Sequence, residues 1–263
     1  MSTLSLALQD SSEMVRRNLR HARRNPSTLL GSVVMPVVLL LLFVFAFGST
    51  LGDGLGESGR DIEYVDYLTP GILLLALTVG AMGTSIAVAV DMTKGIINRF
   101  RTMPISRASV LTGHVVGSVV QSMISTVVVV AIALLVGFRP RAGVLEWLAA
   151  FGLMALVSYA LTWVAVGFGL MAKTVDSASN LPMIMQILPF MSSTFVPAQS
   201  MAPGLRWFSE NEPFTPITET LRGLLLEEPI GNDWIVAVAW CLVIALVGYL
   251  WSKQLYKRDP RHT

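Results

Sequence analysis

Charge is scarce in this sequence. Asp, Glu, Lys and Arg make up 14% of its 263 residues, against about 25% in a soluble globular domain. A single cysteine, Cys241, excludes an intrachain disulfide. The three histidines, His21, His114 and His262, lie far apart and lack metal-ligand spacing. A net charge of only +2 gives a nucleic-acid partner no electrostatic support. No polar linker divides the chain, so residues 1–263 read as one domain.

Apolar sequence fills the space that charge leaves, at 53% of the residues. A bilayer core needs about 20 consecutive apolar residues in a helix. Six stretches qualify, at about 29–51, 68–90, 109–137, 147–171, 178–197 and 234–252. Tyr67, Trp147, Trp234 and Trp251 sit near their ends, where aromatic rings favour the interface. The first run is too long for a signal peptide and reads as a true span. The fold class expected is therefore an all-α integral membrane protein with six transmembrane helices.

Basic residues orient it. Arg16, Arg17, Arg20, Arg23 and Arg24 precede the first span, and Lys94, Arg99, Arg101 and Arg107 follow the second. Lys173 follows the fourth, and Lys253, Lys257, Arg258 and Arg261 follow the sixth. Only Arg60, Arg139, Arg141, Arg206 and Arg222 fall on the other side. The positive-inside rule places both termini in the cytoplasm.

Three segments outside the spans carry pattern. Residues 1–28 interleave arginine with Leu4, Leu6, Leu8, Val15 and Leu19. They read either as an amphipathic helix on the inner membrane surface or as a basic tail that only sets topology. In the stretch 91–107, Ile96, Ile97, Phe100 and Met103 recur at helical spacing opposite Asn98, Arg99 and Arg101, and Pro104 ends the turn. A short amphipathic helix is expected there, at the cytoplasmic surface. Between the last two spans, Thr215–Pro216 marks a helix start and Ile217, Leu221, Leu224 and Leu225 form an apolar face. Short extracellular or re-entrant helices are expected over the outer ends of the spans.

Inside the spans, Asp, Glu, Lys and Arg are missing from every core. Ion-coupled transporters keep such groups in the membrane, so proton or sodium coupling is disfavoured. A membrane hydrolase is disfavoured too, since it needs an acid and a base beside its nucleophile. In the third span, His114, Ser118, Gln121 and Ser125 share one helix face, with Gly113 and Gly117 close by. That stripe suits interhelical packing first, with a pathway or dimer seam as the second reading. The fifth span holds Pro182, Pro189 and Pro197 among Met183, Met185 and Met191. Proline bends a helix and methionine packs softly, which suits a kinked or gate-lining helix. The run 167–174, GFGLMAKT, imitates a phosphate-binding loop, but it ends an apolar span rather than following a strand.

Taken in order, these residues resemble the ABC-2 type permeases, in particular the daunorubicin/doxorubicin-resistance exporter group. The stretch GIINRFRTMPISR, 95–107, is similar to that family's cytoplasmic loop. Phe195, Pro197, Met201, Pro203, Leu205 and Arg206, then Pro213, Thr215, Pro216 and Arg222, resemble its outer segment. Pro36 and the run FVFAFG, 43–48, resemble its first span. Lys94 departs from the pattern where an acid is common, as do Ala202 and Glu212.

The resemblance implies a permease without its own ATPase site. Two such subunits form the pathway, as a homodimer or heterodimer, and separate ATP-binding cassette subunits bind ATP and Mg. Gly95, Ile96, Ile97, Arg99, Phe100, Arg101, Met103 and Pro104 would form the coupling helix. No cofactor is expected on this chain. The expected cargo is a lipophilic drug, natural product or lipid, exported across a bacterial plasma membrane. A polysaccharide or lipid-linked glycan exporter, and a non-transporting membrane scaffold or enzyme subunit, are the alternatives.

Overall fold

A computed structural model describes residues 26–57, 62–94 and 107–257. The basic segment 1–25 and the expected coupling residues Gly95, Ile96, Ile97, Arg99, Phe100, Arg101, Met103 and Pro104 lie outside the described residues. Among those described, all regular structure is helical. The elements are α1 (Pro26–Glu57), α2 (Tyr64–Thr93), α3 (Arg107–Val136), α4 (Val144–Met171), α5 (Val175–Asn180), α6 (Met183–Ile187), α7 (Pro203–Asn211), α8 (Phe214–Leu226) and α9 (Asp233–Lys257). Five of them, α1, α2, α3, α4 and α9, are long and apolar enough to cross a bilayer.

The centre of the bundle is α2. Leu68, Ile72, Leu73, Leu74 and Leu77 are all fully buried. It touches α1, α3, α4, α5, α6 and α8. In contrast, α1, α3 and α9 each turn an apolar face outward, with Phe45, Leu135 and Val247 exposed. A helix with an apolar exterior and an apolar interior is the composition a lipid environment selects.

Close approach of α4 and α9 is reciprocal. A Cβ at Gly167 would overlap the Trp251 indole, and one at Gly248 would come within 2.9 Å of the Val164 backbone nitrogen. The Ser252 hydroxyl donates to the carbonyl of Trp163 at 2.9 Å across the same seam. Small residues let the backbones meet, which is how helices associate where no hydrophobic effect separates lipid from protein.

The stretch expected as the fifth span is not one helix. It is split into α5, α6, a 3₁₀ turn at Leu188–Met191 and an irregular run through Ser192–Val196. Pro182 and Pro189 each remove a backbone donor and obstruct the preceding turn. The Ser192 hydroxyl then takes over backbone partners, donating to the Pro189 carbonyl and accepting from Thr194 N–H. Lone prolines at 36 and 70 leave α1 and α2 continuous, so it is their repetition with this polar run that breaks the segment. The broken segment still runs antiparallel to α2. Ser85 Oγ donates to the Ala178 carbonyl, Tyr67 OH to that of Ser193 and Tyr64 OH to that of Phe195. From Ser85 to Tyr64, α2 rises about 30 Å, at 1.5 Å per residue.

Beyond it, α7 and α8 are the short helices expected before the last span. Helix α8 begins at Phe214, before Thr215 and Pro216. Glu212 causes the difference: its carboxylate accepts from the N–H groups of Phe214 and Thr215, doing the work of a cap.

Candidate functional site

Polar side chains gather at two ends of the bundle. At the end carrying α7 and α8, Arg222 is fully buried. Its guanidinium lies 3.7 Å from the centre of the Tyr67 ring. Nη2 donates to the Tyr67 carbonyl at 3.1 Å and to the Ser193 carbonyl at 3.4 Å. Nη1 lies 2.7 Å from Glu219 Oε1, an ionic contact whose angle falls outside hydrogen-bonding geometry. Ser193 Oγ donates to the same Glu219 oxygen, and Ser193 N donates to Thr215 Oγ1. Thr194 and Thr218 join their hydroxyls at 3.1 Å. A Cβ at Gly71 would overlap the Thr194 methyl, so only glycine lets this run lie against α2.

This knot answers the problem of buried backbone that has lost its helix. Buried carbonyls freed from a helix need partners. Arg222 and Tyr67 both supply donors to Ser193. The resemblance singled out Arg222, but composition alone placed it in an outer loop rather than in the core. Thr218, Arg222 and Leu225 share one face of α8, and that spacing was the available signal.

Beside the knot, Glu210, Asn211, Glu212, Thr215, Pro216, Glu219, Asp233, Val236 and Trp240 line an open pocket of about 360 Å³. Burial pushes the Glu212 carboxyl up to about 7, outweighing the N–H groups of Phe214 and Thr215 that favour its charged form.

At the opposite end, His114 Nε2 on α3 lies 3.2 Å from the Asp91 carboxylate on α2. The rest of the third-span stripe points to neighbouring helices as well. Ser118 shares a hydrogen bond with Thr84, and Ser125 pairs with Ser32 of α1 at 2.7 Å. Gln121 is half-buried. The methionines and proline of the broken segment divide: Met185 and Pro189 are buried, Met191 is half-buried and Met183 is exposed. Among the described residues no cluster of His, Cys, Asp and Glu is placed to hold a metal ion.

Residues 11–226 match the ABC-2 type transporter family. This chain belongs to that family. Among its relatives is a daunorubicin resistance ABC transporter permease protein of Streptomyces coeruleorubidus, 26% identical over 240 residues, covering 90% of this chain and 82% of that protein. A probable doxorubicin resistance ABC transporter permease protein of Mycobacterium tuberculosis is 21% identical over 246 residues, covering 94% and 87%. The inner membrane transport permease YadH of Escherichia coli K12 is 24% identical over 223 residues, covering 83% and 84%. The ABC-2 membership accounts for the multi-pass helical bundle and implies partnership with ABC ATPase subunits.

Proposed function

We propose that this ABC-2 chain is the membrane-spanning subunit of an exporter for lipophilic compounds, driven by ATP hydrolysed on a separate subunit. The observation that carries the proposal is full-length similarity to permeases named for daunorubicin and doxorubicin resistance. Spans without acidic or basic residues in their cores support it, because they offer a strongly ionic cargo no partner. ATP and Mg bind the partner ATPase, which docks on the segment 95–104 at the cytoplasmic face of a bacterial plasma membrane. Closure of the ATPase pair favours one of two helix arrangements and shifts the population toward it.

The broken segment makes a sixth crossing, with both termini cytoplasmic. Its antiparallel run beside α2, over about 30 Å of helix, supports this. Met183, Ile184, Ile187 and Phe190 on its outer side are exposed. Irregular backbone at membrane depth is tolerated only against protein or a water-filled cavity. A second permease copy therefore covers that side, and the exposed methionine and aromatic groups line the cargo's path between the copies.

Uptake into inverted vesicles containing the permease and its ATPase tests the reading. ATP-dependent accumulation of a lipophilic dye is expected, together with faster ATP hydrolysis. Phe100→Asp is expected to abolish both while the subunits still copurify. Transport of sugars or amino acids, with no response of ATP hydrolysis to lipophilic compounds, would overturn the substrate class. Unchanged coupling in Phe100→Asp would remove the segment 95–104 from the mechanism.

A further inference from the structure

The His114–Asp91 contact lies in a part of the bundle with its own core. Val88, Leu111, Val115, Trp163, Val166 and Tyr256 form a second buried cluster, separate from the large one. It joins α2, α3, α4 and α9 at the end of the bundle where α2 finishes and α3 begins. Small separate clusters repack more readily than one continuous core, because fewer interlocked side chains must shift together.

Along α2 and α3 the cross-links change character toward that end. Ser118 to Thr84 is a hydroxyl pair between them, and further along Ser125 bonds Ser32 of α1 instead. A Cβ at Gly80 would meet Ser122 Oγ at 2.5 Å, so the helices touch there without room for slack. The last rung is the imidazole–carboxylate contact, with the two side chains only 10% and 14% exposed. It sets a carboxylate against an imidazole, and partial burial shields the contact from screening.

We propose that Asp91 and His114 are positioning residues for energy coupling: their contact makes the ends of α2 and α3 move as one body when the ATPase closes. This rests on the reading that the chain joining those two helices docks the ATPase. A push delivered between two tied helices moves the bundle. Delivered between two untied helices, it spreads them and is lost in the small cluster. Neither residue touches cargo or nucleotide.

The test uses the reconstituted permease–ATPase complex and reads cargo moved per ATP hydrolysed. His114→Leu is expected to lower that ratio roughly fivefold or more, the scale of ordinary coupling between sites. Copurification of the ATPase and the melting temperature should hold. His114→Gln, which keeps a donor toward Asp91, should stay near the wild-type ratio, and the swapped pair Asp91→His with His114→Asp should recover most of it. A wild-type ratio in His114→Leu would overturn the proposal, as would a swapped pair no better than the single changes. Should His114→Leu fail to accumulate, Asp91→Leu, which removes the acceptor at similar volume, carries the same two outcomes. Phe100→Asp separates the two readings. If it uncouples and His114→Leu does not, only the tie is lost. If His114→Leu uncouples and Phe100→Asp does not, the tie stands and the docking segment is misplaced. If neither uncouples, both fall.

Discussion

Arg222 holds a full positive charge with no exposed surface. Its partners are two carbonyls, one aromatic face and one carboxylate. Replacing it with Leu strips one donor from each of the Ser193 and Tyr67 carbonyls, leaving Tyr67 OH on Ser193, and takes the cation from Glu219. Removing one member of a buried pair costs about 3 kcal/mol, reduced here because Glu219 is itself 21% exposed and can hydrate. A melting temperature several degrees below wild type is expected in detergent. Lys at this position should recover little, because an ammonium lacks the planar fork that reaches both carbonyls. Glu212 gives a pH signature at the same corner. Its folded-state value, about 7, lies above the ordinary 4.5. A raised acid binds its proton more tightly in the folded state, so this contribution is greatest below pH 4.5 and fades as pH rises through 7. Thermal stability should therefore fall between pH 5 and pH 8, and Glu212→Gln should flatten that slope. A wild-type slope in the variant would assign it to other groups. Sequence reading could place both residues outside the long spans. It could not bury them, because burial of a charge depends on which backbone has lost its helix nearby.

At the scale of elements, the continuous helices were legible and the broken one was not. Uninterrupted apolar runs specify α1, α2, α3, α4 and α9 almost by length alone. The run 178–197 has comparable composition, yet its fate depends on Pro182, Pro189 and the hydroxyl groups acting together with partners on α2 and α8. The third-span stripe was legible as a face, but its use was not. Only the neighbouring helices decide that Ser118 meets Thr84 and Ser125 meets Ser32. Helix pairing itself can be tested on α4 and α9. Gly167→Val and Gly248→Val each force a side chain into the opposing helix. Overpacking of this kind costs about 1–3 kcal/mol, so lower yield and a lower melting temperature are expected. Gly152 on the same α4 faces open space, and Gly152→Val should be neutral. Equal damage from all three would show that loss of glycine, rather than the seam, is responsible.

For the whole molecule, the decisive quantity is the number of crossings. Asp176 at the start of α5 and Glu210 at the end of α7 are both exposed, and the broken segment separates them. Single cysteines at these positions report their sides directly, since Cys241 is buried and stays silent. An impermeant maleimide should label Glu210→Cys in intact cells and Asp176→Cys only in inverted vesicles. Labelling of both from one side would reduce the bundle to five crossings and move the carboxyl terminus outside.

The tie between Ser193 and α8 also sets an order of events during synthesis. Ser193 N needs Thr215 and Thr194 bonds Thr218, both of which leave the ribosome later, whereas Ser193 O already has Tyr67 on α2. Until then the nascent segment carries proline breaks and a Ser193 N–H still without Thr215, and it makes a poor stop for a translocon that sorts by continuous apolar length. Its folded arrangement against α2 is completed only when the next two helices arrive. Residues 175–226 therefore settle together, and chains cut short inside that window are the ones a membrane quality-control protease should meet.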